Sequence, residues 1–551
     1  SLCKQVGQPE TGSEFLLLEI HSTPAAANVI SLSSFSNQRH MSPFLLFSFV
    51  IGYFIILLVV AWYTSRNSDN ESFFIGNRNS NWMLVAFGMI GTTLSGVTFV
   101  SVPGTVGSGG FQYFQVVLGY FLGYLVIAYV LLPLYYRMNL TSIYNYLEHR
   151  IGMTSYKTGA TYFILSRTLG ATARMYLVVN ILQLFILDSM GIPFWLTALV
   201  ILILILLYTF EGGVKTIVYT DTLQTSCMLI GLVVCIIAIM NKMNLDFSST
   251  MTAMSEKGMT RIFNTDVNSS AFFIKQILGG AFITIAMTGL DQEMMQKNIS
   301  VRTLGGSQKN VMTLSVVLLF VNFLFLLMGG LLYLYADSMG LQVKGDDLFP
   351  AVALGSYLSA AIGVIFIIGL ISALFPSADG ALTALTSSFC IDILGLKRRP
   401  DLSEAQQKRI RLTVHLSLSF VFFLCVMVFK WIDDKSIIDV ILKVAGYTYG
   451  PLLGLFAFGI LTKRQINDRL SLIVCIAAPL LVIGVDLVNN AEWFVNKLGL
   501  GTTGESLKAF SMTVFGGFKI GIELLIINGL LTFAGLWLIS RKGGTSEMNL
   551  H

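Results

Sequence analysis

Charged residues are scarce in this sequence. Of its 551 residues, 12% are Asp, Glu, Lys or Arg and 54% are hydrophobic, and the mean hydropathy is +0.74. Soluble globular domains carry about 25% charged residues. This deficit excludes an ordinary soluble domain and indicates an all-α polytopic membrane protein.

Cysteine and histidine are also scarce, with six and five residues respectively. Five of the cysteines lie in apolar segments, no CxxC spacing occurs and the histidines are scattered, so no zinc, haem or iron–sulfur site is indicated. No nucleophile–base pair stands at helix spacing. We therefore expect no cofactor and no enzymatic activity. The net charge of +5 comes largely from loops between apolar segments and does not indicate nucleic-acid binding.

Apolar segments dominate the chain, and each bilayer crossing takes about 20 such residues. Thirteen segments qualify: 43–64, 81–110, 112–136, 157–185, 192–209, 214–240, 271–290, 311–336, 357–391, 412–430, 436–461, 470–488 and 513–540. Most Lys and Arg residues of the loops fall on the cytoplasmic side if the N-terminus is outside. The positive-inside rule thus predicts a multi-pass protein of the inner (plasma) membrane, with the N-terminus outside and the C-terminus in the cytoplasm.

The two ends of the chain differ from the apolar remainder. Residues 1–40 are polar and without pattern, and we expect a non-native or disordered tail, the alternative being a genuine extracytoplasmic one. Residues 41–545 are predicted to form a single transmembrane domain, followed by a C-terminal tail at 546–551.

The second span contains an interruption. Residues 81–110 are long enough to cross the bilayer, yet Gly91-Thr92-Thr93-Leu94-Ser95-Gly96 stands halfway along them. Within a membrane, non-helical backbone survives where it lines a cavity or site, and secondary transporters bind substrate and ions at such breaks. Carbonyls of Gly91 and Leu94, facing Ala373 and Ser377 of the ninth span, would suit a hard cation such as sodium. The alternative is that these hydroxyl residues only cap turns and join helices.

Charges inside spans are costly and indicate function by default. Asp221 lies in the sixth span and Asp379 in the ninth, while Arg167 and Arg174 share one face of the fourth. The alternative for Asp221 is a structural ion pair with either arginine.

Four motifs in these segments resemble those of the solute:sodium symporter family, in a bacterial-type form, over residues 41 to about 540. EGG at 211–213 with YTDTLQ at 219–224 resembles the family's GG…(W/Y)TDxxQ, and DQ at 291–292 with QK at 296–297 resembles DQ…QR. FPSADG at 375–380, followed by Asp392, resembles MS(T/S)AD(S/G). GYTYGPLLG at 446–454 with GILTKR at 459–464 resembles the eleventh-span signature.

The resemblance implies a five-plus-five inverted-repeat (LeuT-like) core, with repeats at about 81–240 and 271–462. It also implies a sodium site at the carbonyls of Gly91, Leu94 and Ala373, at position 376 and at the hydroxyl of Ser377. Pro376 departs from a common hydroxyl residue there, which predicts a weaker site or compensation by Asp379. Asp221 and Asp379 match a second cation site of some relatives, although Gly380 lacks a hydroxyl sometimes used. Two close carboxylates also leave proton coupling open.

The substrate site is expected beside the break. The candidates are Thr93, Ser95 and Thr98 on the second span and Gln112 and Gln115 on the third, with Arg167 or Arg174 as a clamp for an acidic solute. An arginine paired with Asp221, or snorkelling to the interface, is the alternative.

These features predict a sodium-coupled symporter that imports a sugar, sialic acid, monocarboxylate or vitamin-like solute by alternating access. Its partners would be that solute, sodium ions and the lipid bilayer. The alternative is a proton-coupled or sodium-independent carrier, or a sensor, of the same fold.

Overall fold

The computed structural model describes residues 42–65, 80–140, 142–209, 213–355, 357–399, 401–432, 437–492, 495 and 501–541. The expected tails at 1–40 and 546–551 lie outside these residues, and so do Glu211 and Gly212 of the EGG motif.

Helices make up nearly all of the described chain. In order they are α1 Pro43–Ser65, α2 Trp82–Thr93, α3 Gly96–Gly109, α4 Tyr113–Val126, α5 Leu132–Arg137, α6 Asn145–Arg150, α7 Met153–Leu182, α8 Phe194–Thr209, α9 Gly213–Met243, α10 Phe247–Glu256, α11 Phe273–Thr284, α12 Gln292–Ile299, α13 Leu304–Ser338, α14 Leu348–Leu354, α15 Ala360–Ser388, α16 Glu404–Ile432, α17 Ile437–Thr448, α18 Gly450–Leu461, α19 Asp468–Asn489, α20 Gly501–Phe515 and α21 Leu524–Leu538. Two short strands, β1 Gln465–Ile466 and β2 Ser540–Arg541, pair antiparallel.

Eight of the described helical stretches are long and apolar enough to cross a membrane, and two bent helix pairs raise the number to ten. Three further apolar helices, α2, α8 and α21, are shorter than a full span. The multi-pass architecture is therefore confirmed, whereas the count of thirteen stays a prediction. Helix length and composition do not resolve the number of spans. Residues 96–137 form one continuous helical stretch, where the sequence predicted parts of two spans.

Broken helices stand at the start of both predicted repeats. The first, near residue 81, opens with α2 and α3, which are separated by Leu94 and Ser95. The second, near residue 271, opens with Phe273–Gly289 and α12, which are bent by 66°. A third bend of 47° separates α17 from α18. The division of the chain into two repeats stays a prediction, but the two breaks occupy corresponding positions in them.

Helix α15 forms the centre of the core, and all of residues 369–388 are buried. It packs against α9 along much of its length, and also against α7, α2 and α1. The outer helices instead expose large apolar side chains such as Trp62, Ile230, Phe420 and Leu480, each more than 60% exposed. Apolar area of this extent is suited to contact with lipid.

Candidate sodium and substrate sites at the broken span

The interruption between α2 and α3 is a genuine break in the helix. Asn81 caps the start of α2 through a hydrogen bond from the Met83 amide (2.9 Å). At the other end Leu94 has φ −88° and ψ 82°, and Ser95 is extended at φ −76° and ψ 174° before α3 begins. In a continuous helix the Ser95 amide would donate to the Gly91 carbonyl. The extended backbone breaks that register, so carbonyls at the end of α2 are available to a ligand.

The break faces α15. A methyl group placed on Gly91 would lie 3.5 Å from Pro376 Cγ, and one on Gly96 would lie 3.9 Å from the Leu374 Cα. Ala373 and Ser377 are buried on this part of α15, and the Ser377 hydroxyl donates to the Leu374 carbonyl at 2.8 Å. Because that bond uses the hydroxyl hydrogen, the oxygen lone pairs remain free for a cation. The structure thus brings together the two elements that were predicted to hold sodium.

A buried cluster of charges lies beside the break. The Lys297 ammonium, 3% exposed, is 2.8 Å from Asp221 Oδ2, 2.6 Å from Thr92 Oγ1 and 3.4 Å from Glu293 Oε1. Asp221 therefore pairs with Lys297 rather than with either arginine. Asp221 and Asp379 are the two carboxylates proposed to bind a second cation, and Asp221 is already paired with the ammonium group of Lys297.

Arg167 belongs to the same cluster. Its guanidinium donates to Glu293 Oε2, and its Nε lies 3.8 Å from Asp291 Oδ2. Asp291 also caps α12, because its Oδ1 accepts from the amides of Glu293 (2.9 Å) and Met294 (3.2 Å). Glu293 and Lys297 are four residues apart and so lie one turn apart on α12, where Glu293 contacts Arg167 and Lys297 contacts Asp221.

The sequence reasoning assigned no role to Glu293, Lys297 or Thr92. The signal was present for two of them, since the DQ…QK motif brackets Glu293 and ends on Lys297. Glu293 also packs closely against position 380. A methyl group on Gly380 would collide with the Glu293 carboxylate, so a larger residue there would have to displace this carboxylate from its present position.

A cavity of about 100 Å³ opens beside the break, between α2, α3, α4, α7, α11, α13 and α17. Five substrate candidates line it: Thr93, Ser95, Thr98, Arg167 and Arg174. Three tyrosines, an asparagine and further threonines complete its polar lining: Tyr113, Tyr120, Tyr124, Asn322, Thr92, Thr284 and Thr288.

Gln112 and Gln115 do not line this cavity. The Gln115 amide donates to the Gln112 carbonyl (2.9 Å) and its Oε1 accepts from the Asn264 amide (3.2 Å). Gln112 Oε1 accepts from the Asn264 side chain at 3.4 Å. Both glutamines thus anchor the loop before α11 to the start of α4, and we do not retain them as substrate ligands.

The two arginines differ in what they already bind. Arg167 is engaged by two carboxylates, as described above. Arg174 is half-buried at the cavity, and within the described ranges no carboxylate lies within 4 Å of it. Among the described residues, Arg167 is therefore already paired with carboxylates, whereas Arg174 lines the cavity without such a pair.

A polytopic helical protein with a polar cavity at a broken span has the organisation of a secondary transporter. The model of the sodium:solute symporter family matches residues 73–469, and the chain belongs to this family. The predicted membership is thereby confirmed, and the family is one of transporters.

Individual relatives agree with this assignment, and one solved structure shares the fold. The sodium-dependent multivitamin transporter of Oryctolagus cuniculus is 25% identical over 79% of this chain and 68% of its own length. The sodium/sialic acid symporter SiaT of Proteus mirabilis (strain HI4320) is 23% identical over 78% of this chain and 86% of its own. A sodium-coupled sialic acid symporter solved in a substrate-bound outward-open state has a TM-score of 0.73 at 19% identity, covering 90% of this chain and 99% of that one. This likeness confirms the predicted LeuT-like fold.

Proposed function

We propose that this chain is a sodium-coupled secondary active symporter that imports a small organic anion by alternating access. The observation that supports an anionic substrate is the position of Arg174. Its guanidinium lies at the cavity beside the break, and no carboxylate in the described part of the chain lies within 4 Å of it. Arginine binds carboxylates through two parallel hydrogen bonds. A half-buried cation with no carboxylate partner among the described residues is suited to receive one from the solute.

The sodium ligands we propose are the carbonyls of Gly91, Leu94 and Ala373 and the hydroxyl of Ser377. They come from two different elements, the end of α2 and the middle of α15. Any rocking of one element against the other changes the distances between them. Sodium would therefore bind one conformation more tightly than the other, as coupling requires.

For topology we propose a multi-pass protein of the plasma membrane with its N-terminus outside and its C-terminus in the cytoplasm. The distribution of Lys and Arg among the loops supports this orientation.

Uptake into proteoliposomes tests the function. The purified protein is reconstituted and offered labelled sialic acids, monocarboxylates, vitamins and neutral sugars, with an inward sodium gradient, a proton gradient or neither. We expect accumulation of an anionic solute with the sodium gradient alone. Accumulation with the proton gradient alone would identify a proton-coupled carrier, and uptake restricted to neutral sugars would contradict the role of Arg174.

Ser377→Ala tests the sodium site. Loss of the hydroxyl should raise the sodium concentration for half-maximal uptake by about tenfold, which corresponds to the loss of about 1.4 kcal/mol of binding free energy. Ser387→Ala is the matched control, because Ser387 is buried on the same helix and its hydroxyl donates to the Thr383 carbonyl at 2.8 Å. An unchanged sodium dependence in Ser377→Ala would remove this residue from the site.

Arg174→Lys tests the substrate clamp. Lysine keeps the charge but loses the planar fork that grips a carboxylate. Hydrogen bonds to charged groups contribute about 1.5–3 kcal/mol, so the solute KM should rise about tenfold or more while the sodium dependence is retained. A normal KM in this variant would exclude Arg174 as the anion site.

A further inference from the structure

The sodium site that the family resemblance implies includes a hydroxyl residue at position 376, where this chain has proline. Gly91, Leu94, Ala373 and Ser377 supply oxygens from α2 and α15, but Pro376 between the last two has neither a hydroxyl nor an amide hydrogen. Sodium prefers oxygen ligands. An oxygen atom close to Pro376 could therefore take the place of the missing hydroxyl.

Thr225 of α9 supplies such an oxygen. It is fully buried, and its hydroxyl lies directly against Gly91, so that a methyl group on Gly91 would collide with Thr225 Oγ1. The same methyl group would lie 3.3 Å from Thr225 Cβ and 3.5 Å from Pro376 Cγ. Thr225 thus lies where the break meets the proline, and a side chain at position 91 would displace the Thr225 hydroxyl from its present position.

The hydroxyl of Thr225 behaves differently from its neighbours on the same helix. Thr220, Thr222 and Ser226 each donate to a carbonyl three or four residues earlier, at 3.1, 2.7 and 2.8 Å. Thr225 Oγ1 has no hydrogen-bond partner among the described residues. Buried hydroxyls are normally satisfied, and one that forgoes its own helix and points at another element calls for a ligand.

We propose that Thr225 Oγ1 is a ligand of the coupling sodium ion and replaces the hydroxyl that Pro376 lacks. The site is then shared by three elements, with carbonyls from α2, a carbonyl and a hydroxyl from α15 and a hydroxyl from α9. This inference rests on the proposed function. It adds α9, the helix that contains Asp221, to the helices that contribute sodium ligands.

The test compares three variants in the absence of any solute. The readout is the sodium concentration that gives half of the maximal thermal stabilisation of the purified protein, with choline chloride keeping the ionic strength constant. Thr225→Val removes the hydroxyl at nearly constant shape and should raise this concentration about tenfold, as ligand-shell losses do. Thr225→Ser keeps the hydroxyl and should stay within about threefold of the wild type. Thr222→Val is the matched control and should leave the value unchanged, because its hydroxyl serves only its own helix.

Restoration of the missing hydroxyl provides the decisive variant. Pro376→Ser in the Thr225→Val background should recover most of the lost sodium affinity, which a merely structural role of Thr225 would not predict. If Thr225→Val does not fold, Thr225→Ala carries the same expectation, since it only removes atoms.

Two outcomes distinguish a failure of the Thr225 proposal from a failure of the proposed function. An unchanged sodium response in Thr225→Val, combined with a weakened one in Ser377→Ala, would overturn the role of Thr225 and leave the sodium-coupled function intact. A wild-type protein that shows neither sodium stabilisation nor sodium-driven uptake would overturn both.

Discussion

Replacement of Lys297 by methionine removes the ammonium group that neutralises the buried cluster beside the break. Lys297, Asp221 and Glu293 are 3%, 0% and 2% exposed. Breaking a buried ion pair by removing one partner costs about 3–5 kcal/mol, because the remaining charge is left uncompensated. Methionine keeps the length of the side chain, so the loss of stability is due to the missing charge and not to a cavity.

Sodium should restore part of this loss. Without the ammonium, Asp221 and Glu293 offer carboxylate oxygens to a hard cation. An ion present at 100 times its Kd stabilises the folded state by about 2.7 kcal/mol. Lys297→Met should therefore be clearly less stable than the wild type in choline chloride and should gain more stability than the wild type in sodium chloride.

The assay is the thermal midpoint of the purified protein in the two salts at equal ionic strength. Lys257→Met is the matched control, since Lys257 pairs with Asp337 at 2.5 Å but the two side chains are 43% and 54% exposed. Such a surface pair contributes at most about 1 kcal/mol. A Lys297→Met protein as stable as the wild type in choline chloride would refute the role of the ion pair. An equal gain of stability from sodium in the wild type and in Lys297→Met would show that the unpaired carboxylates of Asp221 and Glu293 bind no second ion.

Three further predictions concern other parts of the molecule. Asp221→Asn should uncouple solute uptake from the sodium gradient, as measured in proteoliposomes, whereas normal coupling would make the aspartate structural. Gly119→Ala should lower the thermal midpoint by crowding the α11 backbone, at a cost of about 1–3 kcal/mol, while Gly484→Ala, which meets nothing within 4 Å, should not. Burial raises the pKa of Asp346, in the turn Gly345–Asp347 outside the spans, to about 6. Between about pH 4 and pH 6 the native state therefore keeps a proton on Asp346 that the unfolded chain has released, so this group lowers the thermal midpoint as the pH rises through that range. Asp346→Asn should abolish this fall.

Local composition and backbone chemistry were sufficient to predict the class of protein and the place of the break. The charge deficit predicts membrane spans, and glycine with hydroxyl residues at 91–96 predicts an interruption, because both depend on neighbouring residues alone. Motif order added the family and the pairing of α2 with α15.

The partners of the charged and polar groups could not be predicted in this way. Asp221 and Lys297 are 76 positions apart, and both arginines were equally reasonable partners for the aspartate. Gln112 and Gln115 looked suited to a substrate, yet they anchor the loop at Asn264. In the sequence nothing distinguishes Thr225 from other threonines in helices, and only the structure shows that it contacts Gly91 at the break.

The sequence by itself determined that apolar helices dominate the chain and where one of them is interrupted, since apolarity and backbone hydrogen bonding are properties of short stretches. Only the tertiary structure decided which charged groups pair with each other, which of the two arginines is already paired with carboxylates and which hydroxyl lies against the break. Those outcomes depend on distances of a few ångströms between helices far apart in the chain, and the spacing of residues along a single chain does not encode them.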